Sequence, residues 1–225
     1  MAGIPDLTTG LFVVFVCYLL GSLPTALLVS RAVAGVDIRE IGDGNMGARN
    51  VTRTLGWEPG AFVATVDFSK GAAAVLIARY LTLSPTWQLA AGISAVVGHD
   101  FPVWVGFRGG QGMASTLGTL FVLMPQETAW GLIAFGSTYL LTHSFDLSAG
   151  VGLGLLAALV WYFDEPRLLL IYAVGLFISI PIKKILDWPR RRQLLRKTPV
   201  DHTEAFLAED FLEEPPIGEE KAKGV

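Results

Sequence analysis

Seven apolar runs punctuate the chain, at residues 10–30, 60–81, 85–105, 113–124, 128–143, 147–163 and 168–185. None shows the every-other-residue alternation of half-buried strands, so a barrel is not indicated. A hydrocarbon core of about 30 Å takes about 20 apolar residues per helix. Only helices or closed barrels satisfy their own backbone in lipid. The pattern therefore predicts an all-α membrane protein with about seven transmembrane helices. The fourth and fifth runs are short for a simple crossing and are expected to be broken, shielded or a re-entrant pair. Ahead of the first run stands Asp6 and no basic residue, which argues for a retained helix rather than a secretory signal, despite Ala32-Val33-Ala34.

Composition agrees: 52% of residues are hydrophobic, 16% are charged, and the mean hydropathy is +0.52. The net charge of −3 hides a segregation that sets orientation. Arg31, Arg39, Arg49 and Arg53 fall in the first connector, Arg108 in the third, and seven Lys/Arg between Lys183 and Lys197. Cytoplasmic loops carry the excess of basic residues, so the N-terminus is expected outside and the C-terminus in the cytoplasm of a cell inner membrane. Residues 1–187 are read as one polytopic membrane domain. Residues 188–225 are read as a cytoplasmic tail, basic through Arg190-Arg191-Arg192, then acidic and largely disordered. The basic part suits anionic headgroups, or simply anchors the topology. Cys17, the single cysteine, lies in an apolar run, which argues against disulfides, thiolate clusters and thiol catalysis. There is no metal-ligand spacing, no Gly-x-Ser-x-Gly and no Walker-type loop. Neither metal, cofactor nor nucleic-acid partner is expected.

Three places carry candidate chemistry. Residues 36–54 hold Gly42, Gly44 and Gly47, Asn45 and Asn50, and Arg39, Arg49 and Arg53. Glycine permits positive φ and close backbone approach. Successive amides then form an anion nest, to which arginine adds a two-pronged donor; a plain polar connector is the alternative. A second loop, Phe107-Arg108-Gly109-Gly110-Gln111-Gly112, leads into an apolar run and would offer an anion a helix N-terminus. Topology puts both loops on one face, suggesting one composite site. The third place is inside the membrane. Asp67 and Lys70, three residues apart on one helix face, can pair, and charges at such depth cost at least about 2.5 kcal/mol each. They are read as functional, or as a mutually satisfied pair that ties down loop backbone. His99, beside Asp100, is a candidate base, phosphate ligand or packed donor.

These residues resemble a known family, the bacterial acyl-phosphate-dependent glycerol-3-phosphate acyltransferases. The likeness runs from Gly21-Ser22-Leu23-Pro24 to about Gly118. It is carried by Gly42-x-Gly44-Asn45-x-Gly47-Ala48-x-Asn50-Val51-x-Arg53, Lys70-Gly71, Gly98-His99-x-Phe101-Pro102 and Gly109-Gly110-x-Gly112. Soluble-type glycerolipid acyltransferases instead carry Asp five residues after a His; here that position is Trp104. The resemblance implies seven helices with cytoplasmic loops, and transfer of a fatty acyl group from acyl phosphate to glycerol 3-phosphate, forming lysophosphatidic acid without metal or cofactor. It implies substrate binding by Asn45, Gly47, Asn50, Arg53, Lys70, Arg108, Gly109, Gly110 and Gly112, with His99 the protein's candidate base. Membrane lipid is the other expected partner.

Departures fall on the phosphate site. Asp43 stands where the family has Ser, Arg49 where it has Thr, and Gln111 where it has Lys; the family's His/Asn/Arg-rich third motif has no counterpart in residues 182–197. A carboxylate about 4 Å from a phosphate charge costs roughly 4 kcal/mol at an effective dielectric of 20, and each 1.4 kcal/mol is about tenfold in affinity. Pairing of Asp43 with Arg49 would relieve that repulsion. Three functions follow: the family reaction, acyl transfer to a neutral or cationic alcohol that Asp43 would favour, or a non-catalytic lipid-binding paralogue.

Overall fold

The protein is described here by a computed structural model covering residues 4–197, and among these residues every regular element is helical. The elements are α1 (Ile4–Gly21), α2 (Thr25–Ala34), α3 (Ala48–Leu55), α4 (Trp57–Tyr80), α5 (Pro85–Asp100), a 3₁₀ turn (Val103–Val105), α6 (Met113–Leu123), α7 (Pro125–Thr142), α8 (Phe145–Tyr162) and α9 (Arg167–Lys197). Among the described residues, four segments are long and apolar enough to cross a membrane: Leu7–Ala34, Trp57–Tyr80, Phe145–Tyr162 and Arg167–Leu194. Large apolar side chains such as Leu140, Ile171 and Ile185 stay exposed on the bundle, as a lipid-facing surface requires.

The first apolar run is not one straight helix. Pro24 has no N–H and disfavours helix at the residue before it, so α1 ends at Gly21 and α2 begins at Thr25. The carbonyl of Leu23, released by the break, accepts a 2.6 Å hydrogen bond from Lys70 Nζ. The fourth and fifth runs form two consecutive helices that meet at Met124, where Pro125 starts α7.

Small residues set the closest packing. A Cβ on Gly71 of α4 would lie 2.0 Å from the Ser115 carbonyl oxygen of α6, and one on Gly118 2.0 Å from that of Phe68. α4 and α6 thus touch backbone to backbone, as membrane helices do through small residues. Three apolar clusters result. One lies between α1, α4 and α5 around Val13, Cys17, Ala74 and Ala95. A second joins α5, α6, α8 and α9 around Leu120, Leu156 and Tyr172. The third, Leu27, Ile38, Met46, Val51 and Val63, roots the 36–54 connector in the bundle.

The seventh run continues beyond its expected end. α9 reaches Lys197 and so passes through the 187/188 boundary of the expected tail. Residues 198–225, including the acidic stretch, lie outside the described residues.

Candidate functional site

The 36–54 connector is folded around one side chain. Asn50 is 1% exposed. Its Nδ2 donates to the carbonyls of Ile38, Ile41 and Asn45 at 3.1 Å each, and its Oδ1 accepts the Asp43 N–H at 3.1 Å. Gly42 and Gly44 take positive φ of 58° and 68° on either side of Asp43. Asn50 therefore shapes the loop from behind and does not reach the cavity described below. Arg39 ties the loop outward. It bonds both oxygens of Asp37 and donates to the Val105 carbonyl at 3.2 Å, joining the two connectors. That guanidinium holds the Asp37 carboxyl well below the usual carboxylate range.

In front of the loop lies a cavity of about 1070 Å³. Asp43, Asn45, Gly47, Arg49 and Arg53 form one side of its polar end, and His99, Gln111 and Gly112 another. Leu132 and Phe135 of α7 with Leu153 and Leu156 of α8 give it an apolar flank. The N-terminus of α3 opens into it at Gly47 and Ala48, with no side-chain cap. Uncapped N–H groups and the positive helix end favour an anion there.

The second connector contributes less than its sequence implied. A Cβ on Gly109 would meet the His99 carbonyl oxygen at 2.1 Å, and one on Gly110 would meet His99 Nε2 at 2.1 Å. These two glycines let the chain lie against His99; they do not line the cavity. Arg108 is exposed and also lies outside the cavity wall.

Beneath the cavity floor is the intramembrane charge cluster. Lys70 Nζ is 2.7 Å from Asp67 Oδ1, both side chains are 3% exposed or less, and His99 Nδ1 is 3.6 Å from the same carboxylate oxygen. Ser115 Oγ donates to the Asp67 carbonyl at 3.0 Å, tying in α6. Asp67 and His99 reach the cavity; Lys70 does not. Its ammonium serves Asp67 and the Leu23 carbonyl, so the pair holds helices together. Among the described residues no three His, Cys, Asp or Glu side chains converge as metal ligands would.

The expected pairing of Asp43 with Arg49 is replaced by two longer-range pairs. Asp43 Oδ2 meets Arg191 Nη2 at 3.2 Å. Arg49 Nη1 lies 3.7 Å from Asp146 Oδ1, its guanidinium 4.5 Å from the centre of the Phe145 ring. Asp146 also pairs with Lys184 at 2.5 Å. Lys184, Trp188 and Arg191 of α9 all line the cavity. Part of the basic stretch that read as a headgroup contact or topology anchor, Lys184 and Arg191, is thus turned inward, while Arg192 stays exposed. Its signal was present: positions 184, 188 and 191 follow the i, i+4, i+7 spacing of one helix face.

A membrane-spanning helical fold with an anion-ready pocket beside an apolar flank belongs to the class that handles lipid and phosphate together. The particular family follows from similarity. The glycerol-3-phosphate acyltransferase family matches residues 11–190, and the chain belongs to it. Glycerol-3-phosphate acyltransferase 1 of Dehalococcoides mccartyi is 38% identical over 177 residues, covering 76% of this chain and 85% of that protein. A glycerol-3-phosphate acyltransferase of Thermus thermophilus is 39% identical over 191 residues, covering 84% and 92%. Among solved structures, PlsY, an integral membrane glycerol 3-phosphate acyltransferase, superposes in its glycerol 3-phosphate form with a TM-score of 0.72 at 28% identity, over 84% of this chain and 93% of that one. Its lysophosphatidic acid form gives 0.71.

Proposed function

We propose that this protein moves a fatty acyl group from acyl phosphate to the 1-hydroxyl of glycerol 3-phosphate, releasing lysophosphatidic acid and inorganic phosphate. One observation carries the assignment to this chain: a cavity of about 1070 Å³ joins cationic and amide groups to an apolar flank. Asn45, Arg53 and the α3 N-terminus bind phosphate oxygens, and the α7–α8 side takes the acyl chain. The hydroxyl oxygen attacks the acyl carbonyl carbon, and the carbonyl C–O bond to phosphate then breaks, the electron pair leaving with phosphate. The hydroxyl proton passes to the acceptor's own phosphate or to His99, which borders the cavity. Neither step calls for a metal or cofactor.

The protein sits in the cell inner membrane with seven crossings, the N-terminus outside and the cavity facing the cytoplasm. Supporting this, the basic residues of the two connectors and α9 gather at the cavity end, as positive-inside topology requires. A neutral or cationic acceptor is less well supported, because the Asp43 charge is met by Arg191. Purified full-length protein given palmitoyl phosphate and either glycerol 3-phosphate or glycerol decides the matter by mass spectrometry. Lysophosphatidic acid is expected; acylated glycerol alone would replace this acceptor, and intact palmitoyl phosphate with both would remove the activity.

A further inference from the structure

From its polar end the cavity runs into the membrane as an apolar arm of definite depth. On α8 the lining extends from Asp146 to Leu156 and on α9 from Arg191 to Ile180, about 15–17 Å along either helix. That is close to one leaflet, half of a hydrocarbon core of about 30 Å. The arm stops where the bundle is packed. Leu156 is 2% exposed and joins the cluster around Leu120 and Tyr172; Val160, one turn further on that face of α8, lies wholly within the cluster. On α7 the lining stops at Thr128, whose hydroxyl is spent on the Met124 carbonyl at 2.7 Å. An arm of this depth suits one extended hydrocarbon chain whose anionic head stays at the polar end.

Three glycines of α7 and α8 line the arm, for different reasons. A Cβ on Gly131 would lie 2.8 Å from the Gly152 carbonyl oxygen, and one on Gly152 2.6 Å from that of Gly131. These two let the helices touch backbone to backbone. Gly150 has no such duty. A Cβ there would meet no atom within 4 Å, and its φ is not positive. It also sits in the interior of α8, where glycine is less favourable than alanine. Neither packing nor backbone conformation calls for glycine at this position. What the missing side chain leaves is room in the cavity, one turn below Asp146 and about 9 Å above Leu156. Gly154, a turn further along the same helix, also has nothing within 4 Å of its Cβ position, but it is exposed and outside the cavity lining.

Resting on the acyl-transfer reading above, we propose that Gly150 is a specificity-determining residue for the acyl donor. Its absent side chain leaves open the passage by which the chain of acyl phosphate reaches the floor at Leu156 and Thr128. Long chains then fill the arm, and a side chain at 150 shortens it to the turn above. The selection is steric and falls on the donor alone.

The test uses full-length protein in detergent micelles, saturating glycerol 3-phosphate, and palmitoyl phosphate or octanoyl phosphate as donor. In G150L the ratio of kcat/KM for palmitoyl over octanoyl phosphate should fall about thirtyfold, the scale on which an apolar pocket rejects a chain that no longer fits. G150A adds only a methyl group; it should lower the ratio about threefold and melt no lower than wild type. In G154L the ratio should stay within about twofold of wild type. A ratio in G150L within about twofold of wild type overturns the assignment. So does an equal fall in G154L, which would trace the effect to bulk anywhere on α8. Should G150L fail to fold, G150A decides: an unmoved ratio in a stable protein overturns the assignment. Wild-type protein that makes no lysophosphatidic acid from either donor sinks the acyl-transfer reading and this inference with it. Active wild type whose Gly150 variants keep its ratio sinks only the role of Gly150.

Discussion

Two buried ion pairs, Asp67–Lys70 and Asp43–Arg191, look alike in chemistry and differ in everything else. The first closes over three residues of one helix at 2.7 Å, and its lysine is turned away from the cavity. The second spans 148 residues at 3.2 Å, and both partners border the cavity. The first ties helices together beneath the cavity; the second stands where whatever enters the cavity can meet it.

Breaking the enclosed pair should have the largest effect on stability. Lys70→Met leaves the Asp67 carboxylate buried without its ammonium partner, a loss of about 3–5 kcal/mol. Thermal unfolding in detergent should show it, and the double change with Asp67→Asn should regain most of it. A single variant that melts like wild type would mean the cluster is wetter than its exposure suggests. At the cavity, Arg53→Ala should cut kcat/KM by about a hundredfold, or roughly 2.7 kcal/mol, since a charge-assisted contact to phosphate is lost. A parallel loss of stability would move Arg53 to the structural side of the comparison.

Gly110→Ala probes the boundary between the two regions. Its new Cβ must push the His99 ring away from a position 2.1 Å distant, an overpacking cost of about 1–3 kcal/mol. Activity should fall with stability if His99 borders the reaction, and stability alone should fall if the ring only packs. The smallest effect belongs to Asp37. Its folded-state pKa is depressed by Arg39, so its contribution is present above the unfolded value near 4 and is lost as pH falls through the lower folded value. Being partly exposed, the pair is worth at most about 1 kcal/mol. In melting temperature against pH, Asp37→Asn should remove a shallow decline that wild type shows only below about pH 4.

Local features were readable from the chain. The apolar runs, the positive-φ glycines around Asp43 and the i,i+3 pair all follow from neighbours within a turn or two, whereas the break at Pro24 inside the first run was missed. What turned on a distant partner was not legible in the sequence. Asn50, grouped with the binding residues, is committed to four backbone groups of its own loop. Gly109 and Gly110, which suggested an anion nest, are small because His99 lies against them. Lys184 and Arg191 of α9, read as part of a topology anchor or headgroup contact, border the cavity.

Hydropathy and helix spacing follow from nearest neighbours, so the residue order alone specified an all-helical membrane chain, its glycine-rich connector and the glycerol-3-phosphate acyltransferase likeness. Which carboxylate each arginine meets depends on how the helices close in space, and no short-range period encodes that. Only the packed bundle brings Arg191 to Asp43 and Lys184 to Asp146, with Arg190 docking α9 on the loop's carbonyls.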